Sequence, residues 1–79
     1  LSNKIKEKTI TVTTDSSGAF SPSLTTNNAV IASNVKSIGG ICCYFYTSGS
    51  AIYGVAFFIA NGSLVKYDNK SFEVSIFYL

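Results

Sequence analysis

The stretch Ala51-Ile52-Tyr53-Gly54-Val55-Ala56-Phe57-Phe58-Ile59-Ala60, followed at once by Asn61-Gly62, decides how this chain folds. In an extended strand successive side chains point to opposite faces. Ile52, Ala56 and Phe58 therefore share one face, and Tyr53, Val55, Phe57 and Ile59 share the other. Both faces are apolar, so both need a cover. Asn61-Gly62 supplies the positive φ that a two-residue type I′ loop requires at both positions, and residues 64–67 (LVKY) follow as the returning strand. One cover is the domain's own second sheet. A neighbouring copy of the chain is the expected second cover, because burying one more Phe or Ile is worth roughly 1.5–3 kcal/mol.

On either side of this hairpin the pattern stays β. Residues 9–14 (TITVTT) are β-branched throughout, which suits a pleated, half-buried surface. Asp15-Ser16-Ser17-Gly18 has turn chemistry, and Ala19-Phe20-Ser21 resumes an extended segment. Pro22 has no N–H to give a ladder, which confines this piece to an edge or a loop. Residues 24–28 form a polar connection, 29–38 a strand, and Gly39-Gly40 a break. Residues 41–47 lead through Ser48-Gly49-Ser50 into the central strand; Asp68-Asn69-Lys70-Ser71 turns again, and residues 72–79 close the chain. In that last strand Phe72, Val74 and Ile76 alternate with Glu73 and Ser75, but Phe77 and Leu79 put apolar groups on the solvent side. Short strands with frequent turns predict an all-β fold, a small antiparallel β-sandwich. Only the start reads differently. Leu1 and Ile5 are four apart among Lys4, Lys6, Glu7 and Lys8, which fits the last turns of an amphipathic helix or coiled coil. The expected organisation is a helical stem remnant over 1–8 and a β-sandwich head over 9–79.

Composition narrows the function classes. The chain has 79 residues, 47% of them apolar and only 13% charged. That length allows one domain, whose interior is too small to hide so much apolar surface. The longest apolar runs, 41–46 and 52–60, are divided by Thr47-Ser48-Gly49-Ser50 and fall well short of the roughly 20 residues of a spanning helix, so membrane insertion is not expected. No apolar run follows the charged first residues, so no secretory leader is read there. With no Met present, the chain reads as a piece of a longer protein. The net charge of +2 comes from lysines alone; nucleic-acid recognition leans on Arg and a basic face, and is not expected.

Nor do the residues assemble a catalytic centre. There is no histidine, which removes Ser–His and Cys–His pairs and the commonest zinc ligand. Cys42 and Cys43 are adjacent, so on a strand their thiols diverge and a disulfide between them would be strained. Both are expected to be small buried hydrophobes, which suits a reducing cytosol. The acids Glu7, Asp15, Asp68 and Glu73 are scattered, Gly39-Gly40 lacks the setting of a phosphate loop, and the matches at Asn61-Gly62-Ser63 and Asn69-Lys70-Ser71 to a glycosylation pattern are common in such a sequence. No catalytic residue, cofactor or metal is expected. What remains is aromatic: five tyrosines and six phenylalanines. A tyrosine offers a flat ring to stack on a sugar and a hydroxyl to bond its rim. Tyr46, Tyr53, Tyr67, Asp68 and Asn69, on or beside hairpin ends, are the candidate ligand contacts, although packing is the commoner use of any one ring. Leu1, Ile5, Val55, Phe57, Ile59, Phe77 and Leu79 are the candidate contacts between copies.

The order of segments resembles a known family. A charged helix end followed by residues 8–20 (KTITVTTDSSGAF) is similar to the start of C-terminal head domains in phage tail fibres and baseplate receptor-binding proteins. The ending FEVSIFYL (72–79) resembles the way those heads finish. The likeness covers most of the chain from Lys8 onward and is one of pattern, so it transfers no binding residue. It implies a homotrimer of β-sandwich heads on a fibrous stem, carried on a virion tail or phage-derived particle and folded in the host cytoplasm. It further implies recognition of a bacterial surface polysaccharide or protein. Two other readings fit the same residues: a trimerisation or capping domain of a fibre, and an accessory domain of a polysaccharide-degrading enzyme.

Overall fold

The computed structural model describes residues 4–79. Seven strands run through it: β1 (Lys6–Thr13), β2 (Ala19–Thr25), β3 (Val30–Val35), β4 (Cys42–Ser48), β5 (Ala51–Ala60), β6 (Ser63–Lys66) and β7 (Ser71–Tyr78). All pairings are antiparallel. One sheet has the order β1-β7-β3; the other has the order β2-β5-β4, with β6 also paired to β5. The fold is all-β, and the apolar faces of its two sheets meet in one core.

Each sheet contributes to that core by the period-two rule. Val12, Phe72, Val74 and Ile76 come from the three-stranded sheet, and Phe20, Leu24, Ile52 and Ala56 from the other; all are buried. The ring of Phe20 ties the layers together. It meets Phe72 of the opposite sheet edge-on at 5.6 Å between centroids, and Phe45 of its own sheet at 5.9 Å. Gly54 makes room for it. Phe20 and Gly54 are register partners, and a methyl group on Gly54 would stand 2.8 Å from two ring carbons of Phe20.

β5 is the strand on which the second sheet is built. β4 flanks one of its edges along Ala51–Phe57. The other edge is shared by two short strands, β2 at its start and β6 at its end. The hand-over falls at Ala56, whose N–H donates to the Gly18 carbonyl and whose carbonyl accepts from the Tyr67 N–H, both at 2.9 Å. Gly18 sits at φ +78°, and a Cβ there would stand 2.9 Å from the Ala56 carbonyl oxygen, so the close approach needs glycine. The β5–β6 turn has Asn61 at φ 52° and Gly62 at φ 79°, as its sequence predicts.

The expected strands are present, with shifted limits. β2 extends past Pro22 to Thr25 as an edge strand, with its register broken between Phe20 and Leu24 and Ser23 at φ 60°. β3 is shorter than expected and ends at Val35. The helical stem is corrected where it can be seen: Lys6, Glu7 and Lys8 are strand, opposite Tyr78, Phe77 and Ile76 of β7. Two apolar residues four apart are too few to outweigh a ready ladder on the last strand. Leu1 lies outside the described residues, and among those described there is no helix, hence none able to cross a membrane.

The pairings also define two poles. The start of β1, the end of β7, the β2–β3 loop and the β4–β5 hairpin gather at one, where Lys6 faces Tyr78 and Thr26 N–H donates to the Ser50 carbonyl. The Asp15 turn, the β5–β6 hairpin and the β6–β7 loop gather at the other. There the Asp15 carboxylate accepts from the N–H groups of Ser17 (2.8 Å) and Ala19 (3.0 Å). Thr14 latches this turn to the next loop through its N–H and hydroxyl on Lys70, at 2.8–3.2 Å.

Two outcomes follow. Gly54→Ala should lower stability by about 1–3 kcal/mol, the usual cost of overpacking, read as a fall in the urea midpoint; an unchanged midpoint would mean that the Phe20 ring is free to give way. The two N–H donors hold the Asp15 carboxyl below the usual carboxylate value. Its ionised form therefore adds stability above the unfolded-state pKa, and that gain is lost as pH falls through the depressed folded-state value. The urea midpoints of wild type and Asp15→Asn should converge in acid and separate as pH rises toward neutrality.

Candidate functional site

The two sheets turn opposite chemistries toward solvent. On the three-stranded sheet the outward side chains are largely hydroxyls. Exposed Thr13 pairs with Ser71, and Thr9 pairs with Ser75, which its neighbours bury, each with oxygens 2.8 Å apart. The outward face of the four-stranded sheet is apolar and aromatic. Register places Tyr46 beside Tyr53, Tyr44 beside Val55, Cys42 beside Phe57, and Ile59 beside Leu64. No charged residue occurs in β4 or β5; Lys66 of β6, opposite Phe57, is the nearest cation in the register of this face.

The face has two ends. Toward the β4–β5 hairpin the rings of Tyr46 and Tyr53 lie 5.9 Å apart and tilted by 32°. Tyr46 is 43% exposed, and Thr47-Ser48-Gly49-Ser50 supplies polar groups beside it. Tyr44 and Phe57 form a second ring pair at 6.0 Å. Toward the β5–β6 hairpin the surface becomes aliphatic, with Ile59 63% and Leu64 51% exposed. Exposed apolar groups brought together on one sheet face mark a contact surface more than scattered ones do.

The candidate ligand residues are thus divided. Tyr46 and Tyr53 share the outward face at one pole. Tyr67, Asp68 and Asn69 belong to the β6–β7 loop at the other pole, where Asn69 N–H donates to the Asp15 carbonyl. Tyr67 is half-buried, its ring against Phe72 (5.8 Å) and Phe58 (6.4 Å). Its place beside a turn suggested exposure, but Lys66 takes the outward position and alternation sends Tyr67 inward. Tyr44, two residues from Tyr46 on β4, completes the outward row.

The candidate contacts between copies also separate. Ile5, Ile59 and Leu79 are exposed, and Phe57 and Phe77 half-buried. Val55 is a correction. Although it lies on the outward side, its own chain already covers it to 5% exposure, with Ala19 of β2 and Tyr44 of β4 as flanking register partners.

The cysteines diverge as expected, but only one is covered. Cys43 is half-buried, and burial, with Cys42 as a lesser cause, pushes its thiol up to about 11. Cys42 is exposed beside Phe57, not buried. Among the described residues no three Cys, Asp or Glu side chains come together as a metal site.

No protein-family model, curated protein or solved structure matches this chain. The resemblance to tail-fibre heads therefore rests on the sequence pattern alone.

The thiols give a direct check on which face is open. An alkylating agent near neutral pH should modify Cys42 quickly and Cys43 only on unfolding or in strong alkali. Mass spectrometry should show one fast adduct, absent in Cys42→Ser. Two equally fast adducts would mean that the inner layer is open to solvent.

Proposed function

We propose that this chain is a non-catalytic recognition module, the β-sandwich head of a phage or phage-derived tail fibre. In this reading it binds a bacterial cell-surface glycan through the tyrosine end of its outer apolar face. The observation that carries the reading is the pair of exposed Tyr46 and half-buried Tyr53, 5.9 Å apart with rings tilted by 32°. Two such rings side by side form a short platform for the apolar faces of sugar residues, and their hydroxyls bond the sugar rims. The neighbouring Ser48-Gly49-Ser50 hairpin adds small polar groups that leave the platform open. A row of rings on an open sheet face suits an extended polysaccharide better than a small molecule, which needs an enclosing pocket.

A second reading, a structural module that only joins copies of a fibre, draws on the aliphatic end. Phe57, Ile59 and Leu64 offer apolar area of the kind that associating subunits bury. Three-fold assembly is implied by the resemblance alone. Tyr67, Asp68 and Asn69 form no part of the proposed platform, since they lie at the opposite pole.

Replacing Tyr46 or Tyr53 by Ala should weaken binding to host wall polysaccharide about tenfold, the equivalent of 1.4 kcal/mol, in a calorimetric or glycan-array titration. In Tyr53→Ala, which lies on β5 away from the sheet edge, the oligomer mass should not change. Equal binding by Tyr46→Ala, Tyr53→Ala and wild type would remove the platform and leave the structural reading.

A further inference from the structure

We infer that strand β4 is a self-pairing edge, at which a second copy of this chain adds its own β4 in antiparallel register and joins two four-stranded sheets into one. The inference goes beyond glycan recognition and holds whether or not the tyrosine end binds a sugar. It is a two-fold contact, different in kind from the threefold one that the tail-fibre resemblance implies.

An edge strand exposes unpaired N–H and C=O groups, and proteins block such edges with charge, proline, bulges or brevity. β1 carries Lys6, Glu7 and Lys8. β2 has Pro22 and a register break. β3 has a register break between Val30 and Ala32, and β6 is only four residues long and includes Lys66. β4, Cys42-Cys43-Tyr44-Phe45-Tyr46-Thr47-Ser48, has none of these devices. It carries no charge and no proline, and it keeps unbroken register with β5 over all seven residues.

A second observation concerns what lies beside β4. β3 and β4 are the edge strands on the same side of the two layers, and an open groove of about 420 Å³ runs between them, lined by Val30, Ile31, Ala32, Ser33, Cys43 and Phe45. Phe45 and Cys43 are inward-facing yet only half-buried, while Tyr44 and Tyr46 are exposed on the outward side. Apolar groups are thus left open on both faces of one strand. A further strand alongside β4 would meet the unpaired edge and lie beside groups on both faces at once.

The strand is its own best complement. With the two-fold axis through Phe45, Tyr44 of one copy faces Tyr46 of the other, Cys43 faces Thr47, Cys42 faces Ser48, and the two Phe45 residues meet. Every pair matches inward with inward and outward with outward. Aromatic cross-strand pairs of this kind stabilise a ladder, and an isologous contact closes after two copies. The tyrosine row then continues across the axis.

Three measurements on the whole chain test this. Light scattering should give an even number of copies, and Thr47→Lys, a charge at an exposed edge position, should weaken association at least tenfold while the β circular dichroism is retained. A monomer or a bare trimer for wild type overturns the inference. So does association that survives Thr47→Lys but is lost in Ile59→Lys, since that outcome assigns the contact to the outer face. Ser48→Cys in a Cys43→Ser background tests the register. Positions 42 and 48 are roughly 20 Å apart along one strand at about 3.3 Å per residue, so a disulfide between them joins two copies. Mild oxidation should convert the protein to a reducible covalent dimer; failure to cross-link overturns the pairing about Phe45.

Discussion

The contact between Phe20 and Gly54 is the constraint on which the structure depends. A ring lying over a glycine on the neighbouring strand uses the missing side chain as a seat. From that seat Phe20 reaches the edge of Phe72 in the other layer and the edge of Phe45 in its own. A short chain has few large side chains to spend on its interior. Here one ring, placed by one glycine, sets how the layers meet. The break in register follows directly after it, so β2 returns to register only at Leu24.

Because the core is complete without them, the outward residues of β4 and β5 are released for other work. Tyr53, Phe57 and Ile59 contribute little to a core already filled by Ile52, Ala56 and the residues facing them. Their apolar character is therefore a property of the surface. The contrast with the hydroxyl-lined outer face of the other sheet makes the molecule two-sided: one layer is suited to water and the other to a contact.

Much of this was legible in sequence, and the parts that were not have physical reasons. β5 and its Asn61-Gly62 turn could be read because local signals agreed: a long β-prone run, then two residues suited to positive φ. The two-sided apolarity of β5 could also be read, but not that Val55 is covered within the chain, since that depends on which strands flank it. The first residues misled because Lys6–Lys8 owe their conformation to β7, dozens of residues away, and their own spacing carries no strand signal. Tyr67 misled because proximity to a turn says nothing about which way alternation will aim a ring. The pairing of Tyr46 with Tyr53 needed the hairpin register, which the three-residue guess for the loop between them did not fix.

The pairing of β1 with β7 has a mechanical consequence. Lys6 and Tyr78 stand opposite each other at one pole, so the backbone enters and leaves the fold side by side. Tension applied across these two points would peel the ladder one rung at a time, like a zip, whereas a load shared by all rungs in parallel would meet far greater resistance. The domain is thus suited to hanging from one attachment and poorly suited to serving as a link in a chain held taut from both ends.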